Sequence, residues 1–205
     1  MSIDKKQLSK LLYYFTTFDG GVYYSGVNAR FIMNMRTDNL DYITWVKEVL
    51  ENVTSVTLSE VPQRGNRDKL TRLCSKSHPM LTAIRERVYV NNHKVIDPHM
   101  LTLMDAETLA IIFMADGGTS VDKRWSTYPE VKLHTKGFSY FDNMALSKAI
   151  YEKLAIRTTV NRHGKYYFLR VKSADVQLFI DTIKQYVTTS FYYKLERLTP
   201  TGVVI

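Results

Sequence analysis

The sequence predicts an α+β protein built as a tandem repeat. The order helix-strand-strand-helix-strand-strand-helix is taken twice, giving two antiparallel β-sheets. Three observations predict it. An apolar run ends in Asp-Gly-Gly at residues 11–21 (LLYYFTTFDGG) and again at 109–118 (LAIIFMADGG), with the two aspartates, Asp19 and Asp116, 97 positions apart. Each run is followed by the same succession of alternating and helix-periodic segments. Finally, 205 residues that are 45% hydrophobic suffice for a sizeable core, and two repeats sharing one interface count as one globular unit.

In the first half, Ser2 or Asp4 can cap a helix that runs to Phe18, with Leu8, Leu11, Leu12 and Phe15 at helical spacing. Residues 22–25 and 30–37 read as a hairpin turned at 26–28. In its second strand Phe31, Met33 and Met35 fall on one face, and Arg30, Ile32, Asn34 and Arg36 on the other. Residues 38–52 form an amphipathic helix. Strands 53–61 and 70–76 follow, joined by the charged loop 62–69, and Pro79 opens a helix over 80–88. Residues 89–98 read as a polar connector, so the repeats are expected at 1–98 and 99–205.

In the second half, Asp105 is placed to cap the second apolar helix. Strands follow at 119–124 and 130–136, then a helix over 139–154. A hairpin at 156–161 and 166–172 turns at His163-Gly164, and a covering helix runs over 175–186. Alternation puts Val131, Leu133 and Thr135 on one face against Lys132, His134 and Lys136. It also groups Arg170 and Lys172 with Phe168 against Tyr167, Leu169 and Val171. Parity alone leaves the buried face open, since both contain an apolar residue; the charged face is assigned to solvent or to a polyanion.

Charge and cysteine count narrow the function. With 28 Lys+Arg against 20 Asp+Glu the formal net charge is +8, and 14 tyrosines lie among the cations, which points to a nucleic-acid partner. One cysteine, Cys74, excludes an internal disulfide and a cysteine-based zinc finger, and fits a reducing compartment. The five histidines form no His-x₃-His pair, and no phosphate-cradling Gly-x-x-x-x-Gly-Lys-Ser/Thr loop is present. No apolar run reaches the roughly 18–20 residues that cross a bilayer, and no secretory leader opens the chain. The expectation is an intracellular protein without a membrane partner.

An aspartate on the last turn of an apolar helix sits where the helix already carries partial negative charge. Something cationic is expected to compensate it. If the two helices pack side by side, Asp19 and Asp116 meet at the base of a cleft between two basic sheets. Two such carboxylates repel unless a cation lies between them. A hard divalent ion suits the site, and Mg²⁺ (or Mn²⁺) fits because it accepts one or two carboxylates plus substrate phosphate.

The two runs resemble the paired signature helices of the LAGLIDADG homing endonucleases, and are most similar to the monomeric, two-motif, intron-encoded type. Leu109, Ala110, Ala115, Asp116 and Gly117 match the nine-letter signature in the second run; Leu12, Asp19 and Gly20 match in the first. The resemblance implies a DNA-binding saddle and metal held by Asp19 and Asp116, with backbone carbonyls at Gly20 and Gly117 assisting. It implies that the two sites cut opposite strands of double-stranded DNA to leave short 3′ overhangs. It also places Lys94 and Lys194 by the active sites. The candidate DNA contacts are Arg30, Asn34 and Arg36 in the first half, and Lys132, His134, Lys136, Arg170 and Lys172 in the second. Arg64 and Arg67 of the charged loop are candidates to grip phosphate. The expected activity is a metal-dependent endonuclease that is specific for a long asymmetric site and initiates intron or intein mobility. The host is expected to be a bacterium, a phage-infected cell or an organelle matrix. The alternatives are an RNA maturase acting on its own intron RNA and a non-cutting DNA-binding protein.

Overall fold

The computed structural model describes residues 3–62, 68–120 and 129–196, and divides into two compact units, Met1–His93 and Lys94–Ile205. The division falls inside the connector, so residues 94–98 group with the second unit.

The first unit opens with α1 (Lys5–Tyr14), capped by Asp4, whose carboxylate accepts from the backbone N–H of Lys6 at 2.8 Å and of Gln7 at 3.0 Å. The helix does not run to Phe18 in α form. It widens into a π turn, Phe15–Asp19, closed by the Gly20 N–H donating to the Phe15 carbonyl at 2.7 Å. The Thr17 hydroxyl donates to the Tyr13 carbonyl at 2.7 Å and so competes with the normal ladder there. Strands β1 (Gly21–Ser25) and β2 (Asn28–Arg36), helix α2 (Leu40–Glu51), strands β3 (Val56–Val61) and β4 (Leu70–Ser75), and helix α3 (Pro79–Val88) complete the unit. The sheet order is β1-β2-β4-β3, all antiparallel. Val22, Phe31, Met33 and Leu73 are fully buried on one face, with Tyr42, Ile43 and Val46 of α2 and Leu81 and Val88 of α3. Helices α2 and α3 cover that face, and Arg30, Asn34, Arg36 and Arg72 occupy the other. Cys74, half-buried, lies on the open face between Ile32 and Thr57.

At the connector Asn91 and Asn92 both take positive φ (50° and 62°), a two-residue turn between short strands β5 (Tyr89–Val90) and β6 (His93–Lys94). Asn-Asn between short segments is a hairpin signal that the reading as a polar connector did not include.

The second unit repeats the order. After α4 (Pro98–Thr102) come α5 (Ala106–Asp116), β7 (Gly117–Ser120), β8 (Glu130–Leu133), α6 (Tyr140–Leu154), β9 (Thr158–His163), β10 (Tyr166–Val171) and α7 (Val176–Ile183). The sheet order β7-β8-β10-β9 has the pattern of the first unit. A last short helix, α8 (Tyr192–Glu196), has no counterpart in the expected repeat. Helix α5 starts on a reciprocal cap: the Asp105 carboxylate accepts from the Thr108 N–H at 3.0 Å, and the Asp105 N–H donates to the Thr108 hydroxyl at 2.8 Å. All seven residues from Thr108 to Met114 are buried, as a helix apolar on every side requires.

The ambiguity of parity is resolved: Val131, Leu133, Leu169 and Val171 are buried, and Lys132 and Arg170 lie on the open face. Strand β8 ends at Leu133, short of the expected 136. The reason is the buried Asn143, whose side chain is 2.5 Å from the Thr135 hydroxyl and donates to the Ser139 carbonyl at 2.9 Å, bending the chain away. His134 and Lys136 therefore follow the strand, as Lys172 follows β10.

Candidate functional site

The two Asp-Gly-Gly motifs end their helices differently. Asp19 leaves the π turn with its carboxylate half-buried, and the hydroxyl of Tyr42 on α2 donates to its Oδ2. Tyr42 is itself fully buried, with its ring edge-on to Phe15 (centroids 6.2 Å apart) and to Trp45 (5.9 Å). Asp116 leaves a regular α-turn, closed by the Gly117 N–H on the Phe113 carbonyl, and its own carbonyl accepts from the His134 N–H at 2.7 Å.

Burial pushes the Asp116 carboxyl up to about 6, although the positive charges of Lys94 and Lys194 pull the other way. Lys194 also supplies the compensating cation expected at this helix end. Its Nζ donates to the carbonyls of Phe113 at 3.2 Å and Met114 at 2.7 Å, and lies over the rings of Phe113 and Phe191. Both candidate lysines thus belong to the surroundings of Asp116, in the second unit.

The motif glycines are chosen for space. Gly20 (φ −95°) and Gly117 (φ −75°) are extended and lead straight into strands, so neither is the left-handed stop that a glycine after a helix suggests. A Cβ on Gly20 would lie 2.0 Å from the Phe31 ring, and one on Gly117 would lie 2.2 Å from the Phe113 carbonyl oxygen. Gly118 is equally confined, by the His134 ring at 2.7 Å.

Each sheet turns a cationic face outward. On the first, Arg30 is exposed; Asn34 accepts from Arg72 Nε at 3.0 Å; Arg36 pairs with Asp38 at 2.8 Å and Asp68 at 3.3 Å. Arg64 and Arg67 lie outside the described residues. On the second, Lys132 and Arg170 both pair with Glu130, at 2.6 and 2.8 Å. Partial burial would raise the Glu130 carboxyl, but Lys132 and Arg170, with the Ser120 hydroxyl, hold it below the usual range. His134 is pushed below its ordinary value by burial and by Lys136, Lys132 and Lys194. Lys136 and Lys172 are exposed.

Three residues escape sequence reasoning. Arg72 was legible, since it alternates with Thr71 and Leu73 and shares a face with Asn34. Glu130 was legible as the residue two before Lys132, but an acid on a basic face carries no motif. Tyr42 had no signal, because its link to Asp19 crosses 23 positions.

No helix among the described residues is long and apolar enough to cross a membrane, and no group of three or more His, Cys, Asp or Glu among them could cage a metal ion. A site completed by substrate phosphate does not require such a cage.

The comparisons with known proteins fall on this architecture. The protein named Probable intron-encoded DNA endonuclease 3, from Mycosarcoma maydis, is 30% identical over 89 residues, 43% of this chain and 62% of its own length. The chain therefore spans under two thirds of that relative. The homing endonuclease I-WcaI bound to its DNA recognition sequence superposes with a TM-score of 0.78 at 20% identity, over 95% of this chain and 88% of the other. I-DmoI in complex with DNA and Mn gives 0.52 at 16% identity, over 88% and 97%. These two show the fold. The profile of the LAGLIDADG DNA endonuclease family matches residues 19–179, taking in both Asp-Gly-Gly motifs and both sheets, and the chain belongs to that family.

Proposed function

We propose that the chain is a homing endonuclease: a site-specific enzyme that makes metal-dependent double-strand breaks in a long asymmetric DNA target. The observation that carries this reading is the duplicated acid at a helix end, each followed within its unit by a sheet with a cationic outer face. Related proteins are known as DNA complexes, I-WcaI with its recognition sequence and I-DmoI with DNA and Mn.

Asp19 with the Gly20 carbonyl, and Asp116 with the Gly117 carbonyl, would each hold a divalent cation, Mg²⁺ or Mn²⁺. The donor set fits, since Asp116 is a desolvated carboxylate whose charged form is under-compensated. A bound ion supplies charge stabilisation and an acidified water. The chain's own residues do the rest. Lys94 and Lys194 place positive charge where negative charge develops on the phosphate. The outer sheet faces lie in the major groove, where base edges present a full donor and acceptor code. Arg30, Asn34, Arg36 and Arg72 serve one half of the target, and Lys132, His134, Lys136, Arg170 and Lys172 the other. Because the two sets differ, the target has no twofold symmetry and one copy of the chain suffices to bind it.

Purified protein incubated with a genomic or randomised DNA library, with Mg²⁺ or with EDTA, followed by sequencing of the ends, tests the proposal. Discrete Mg²⁺-dependent ends sharing one long asymmetric site establish it. Salt-sensitive DNA binding without cleavage replaces it with a non-cutting binder, and preference for intron RNA over any duplex replaces it with a maturase.

A further inference from the structure

Glu130 is the one acid among the described residues of strands β7, β8, β9 and β10. It stands at the start of β8, on the open face, two residues before Lys132. Its two oxygens are divided among three strands. Oε2 takes the Lys132 ammonium at 2.6 Å and the Ser120 hydroxyl of β7 at 3.2 Å, and Oε1 takes Arg170 Nε of β10 at 2.8 Å. The acid is the most covered of the charged trio: side-chain exposure is 21% for Glu130, 32% for Lys132 and 47% for Arg170.

Lys132 and Arg170 are direct partners across β8 and β10, so without an acid two like charges face each other. A surface selected only for affinity to a polyanion would gain by losing Glu130, since each uncompensated cation adds to counterion release on binding. Retaining the acid sacrifices part of that non-specific term and fixes two long, otherwise mobile side chains in one geometry. A guanidinium has five N–H donors and a carboxylate can engage at most two of them, so Arg170 keeps donors for a ligand. Fixed arginine and lysine groups on a strand that enters the major groove are matched to the O6 and N7 acceptors of guanine.

We propose that Glu130 is a positioning residue for base readout: it holds Lys132 and Arg170 against the edges of one or two adjacent guanine-containing base pairs in preference to the phosphates. The proposal rests on the reading of the sheet as a DNA-binding face.

The test uses the full chain, the duplex enriched from a randomised library as target and a random-sequence duplex as competitor, over a range of salt. Glu130→Gln removes the charge and keeps the shape. It is expected to bind random duplex as tightly or more tightly, with a salt slope steeper by about one. Its preference for the target over random duplex falls about tenfold or more, the scale of one lost bidentate contact. Reselection with the variant relaxes base preference at one or two neighbouring positions and leaves the rest. Because Glu130 acts through its partners, the substitution adds no further loss of preference in a Lys132→Met, Arg170→Met background. Glu130→Asp keeps the charge but is too short to span both cations, and shows the same local relaxation should the glutamine variant fold poorly. Unchanged preference in the folded variants overturns the proposal and assigns Glu130 to relief of repulsion alone. A wild-type chain with no preference for any duplex overturns the endonuclease reading, and this proposal with it.

Discussion

The hydroxyl of Tyr42 donates to the carboxylate of Asp19, so the acid of the first motif is held from α2, whereas Asp116 is flanked by Lys94 and Lys194. The two acids of a duplicated motif therefore sit in unlike surroundings. Tyr42→Phe keeps the ring against Phe15 and Trp45 and removes a hydrogen bond to a charged group, worth about 1.5–3 kcal/mol. We expect urea unfolding to report a loss at the lower end of that range. With strand-labelled target DNA we expect one strand to be cut more slowly, so that nicked duplex accumulates.

Asp116 makes stability depend on pH in a defined direction. Its carboxyl is raised from 3.8 to about 6, so the folded state binds the proton more tightly than the unfolded chain. The contribution of the protonated group is full below about pH 4 and is lost as pH rises through about 6. In EDTA at pH 7.5, Asp116→Asn should stabilise the protein by up to about 3 kcal/mol, and at pH 4 it should be neutral. Urea midpoints at the two pH values measure this. Added Mg²⁺ should raise the midpoint of the wild-type protein by more than that of the variant, which keeps Asp19.

Either Asp19→Asn or Asp116→Asn should abolish double-strand cleavage while DNA binding stays level or tightens, because each removes a ligand and a charge that repels phosphate. Cleavage and gel-shift assays on the selected target separate the two effects. Normal cleavage by either variant would end the two-acid account.

The motif glycines predict a steric penalty. Gly20→Ala pushes a methyl group into the Phe31 ring and Gly117→Ala pushes one into the Phe113 carbonyl. Overpacking of this kind costs about 1–3 kcal/mol or more. Phe31→Leu should recover part of the loss at Gly20, since a side chain can be shortened. No side-chain substitution should recover Gly117→Ala, where the obstacle is main chain. Thermal melts of the single and double variants read this out.

Lys194→Met should remove two hydrogen bonds to the end of α5 and one of the charges that restrain Asp116. The expected loss of stability is about 1 kcal/mol. The more telling readout is the Asp116 titration by NMR, which should move to still higher pH.

The repeat, both four-stranded sheets and the buried face of the first were legible because alternation and helical periodicity record burial; in the second sheet parity left the face open and only the charges assigned it. Phe31 and Met33 face inward while Arg30 and Asn34 face outward, as the first-half pattern requires. The need for a cation beside Asp116 was legible too, from helix electrostatics alone. What stayed hidden depended on contacts distant in sequence. The end of β8 is decided by Asn143, ten residues past Leu133, and the environment of Asp19 by a tyrosine on another helix. The widened turn at Phe15–Asp19 was hidden for a different reason: nothing marks Thr17 in the sequence until its hydroxyl takes a main-chain carbonyl.

That widened turn bears on how interchangeable the two halves are. The first motif closes across five residues, from Gly20 to Phe15, and the second across four, from Gly117 to Phe113. The aspartates therefore leave their helices with different rotation and rise, although each is followed by Gly-Gly. A chimera that transplants the end of α5 onto α1 would carry its acid about 100° out of phase unless one residue were added. Drift since duplication has thus reached the main chain itself, and a symmetric protein made from two copies of either half would place its acids by a single geometry where this chain uses two.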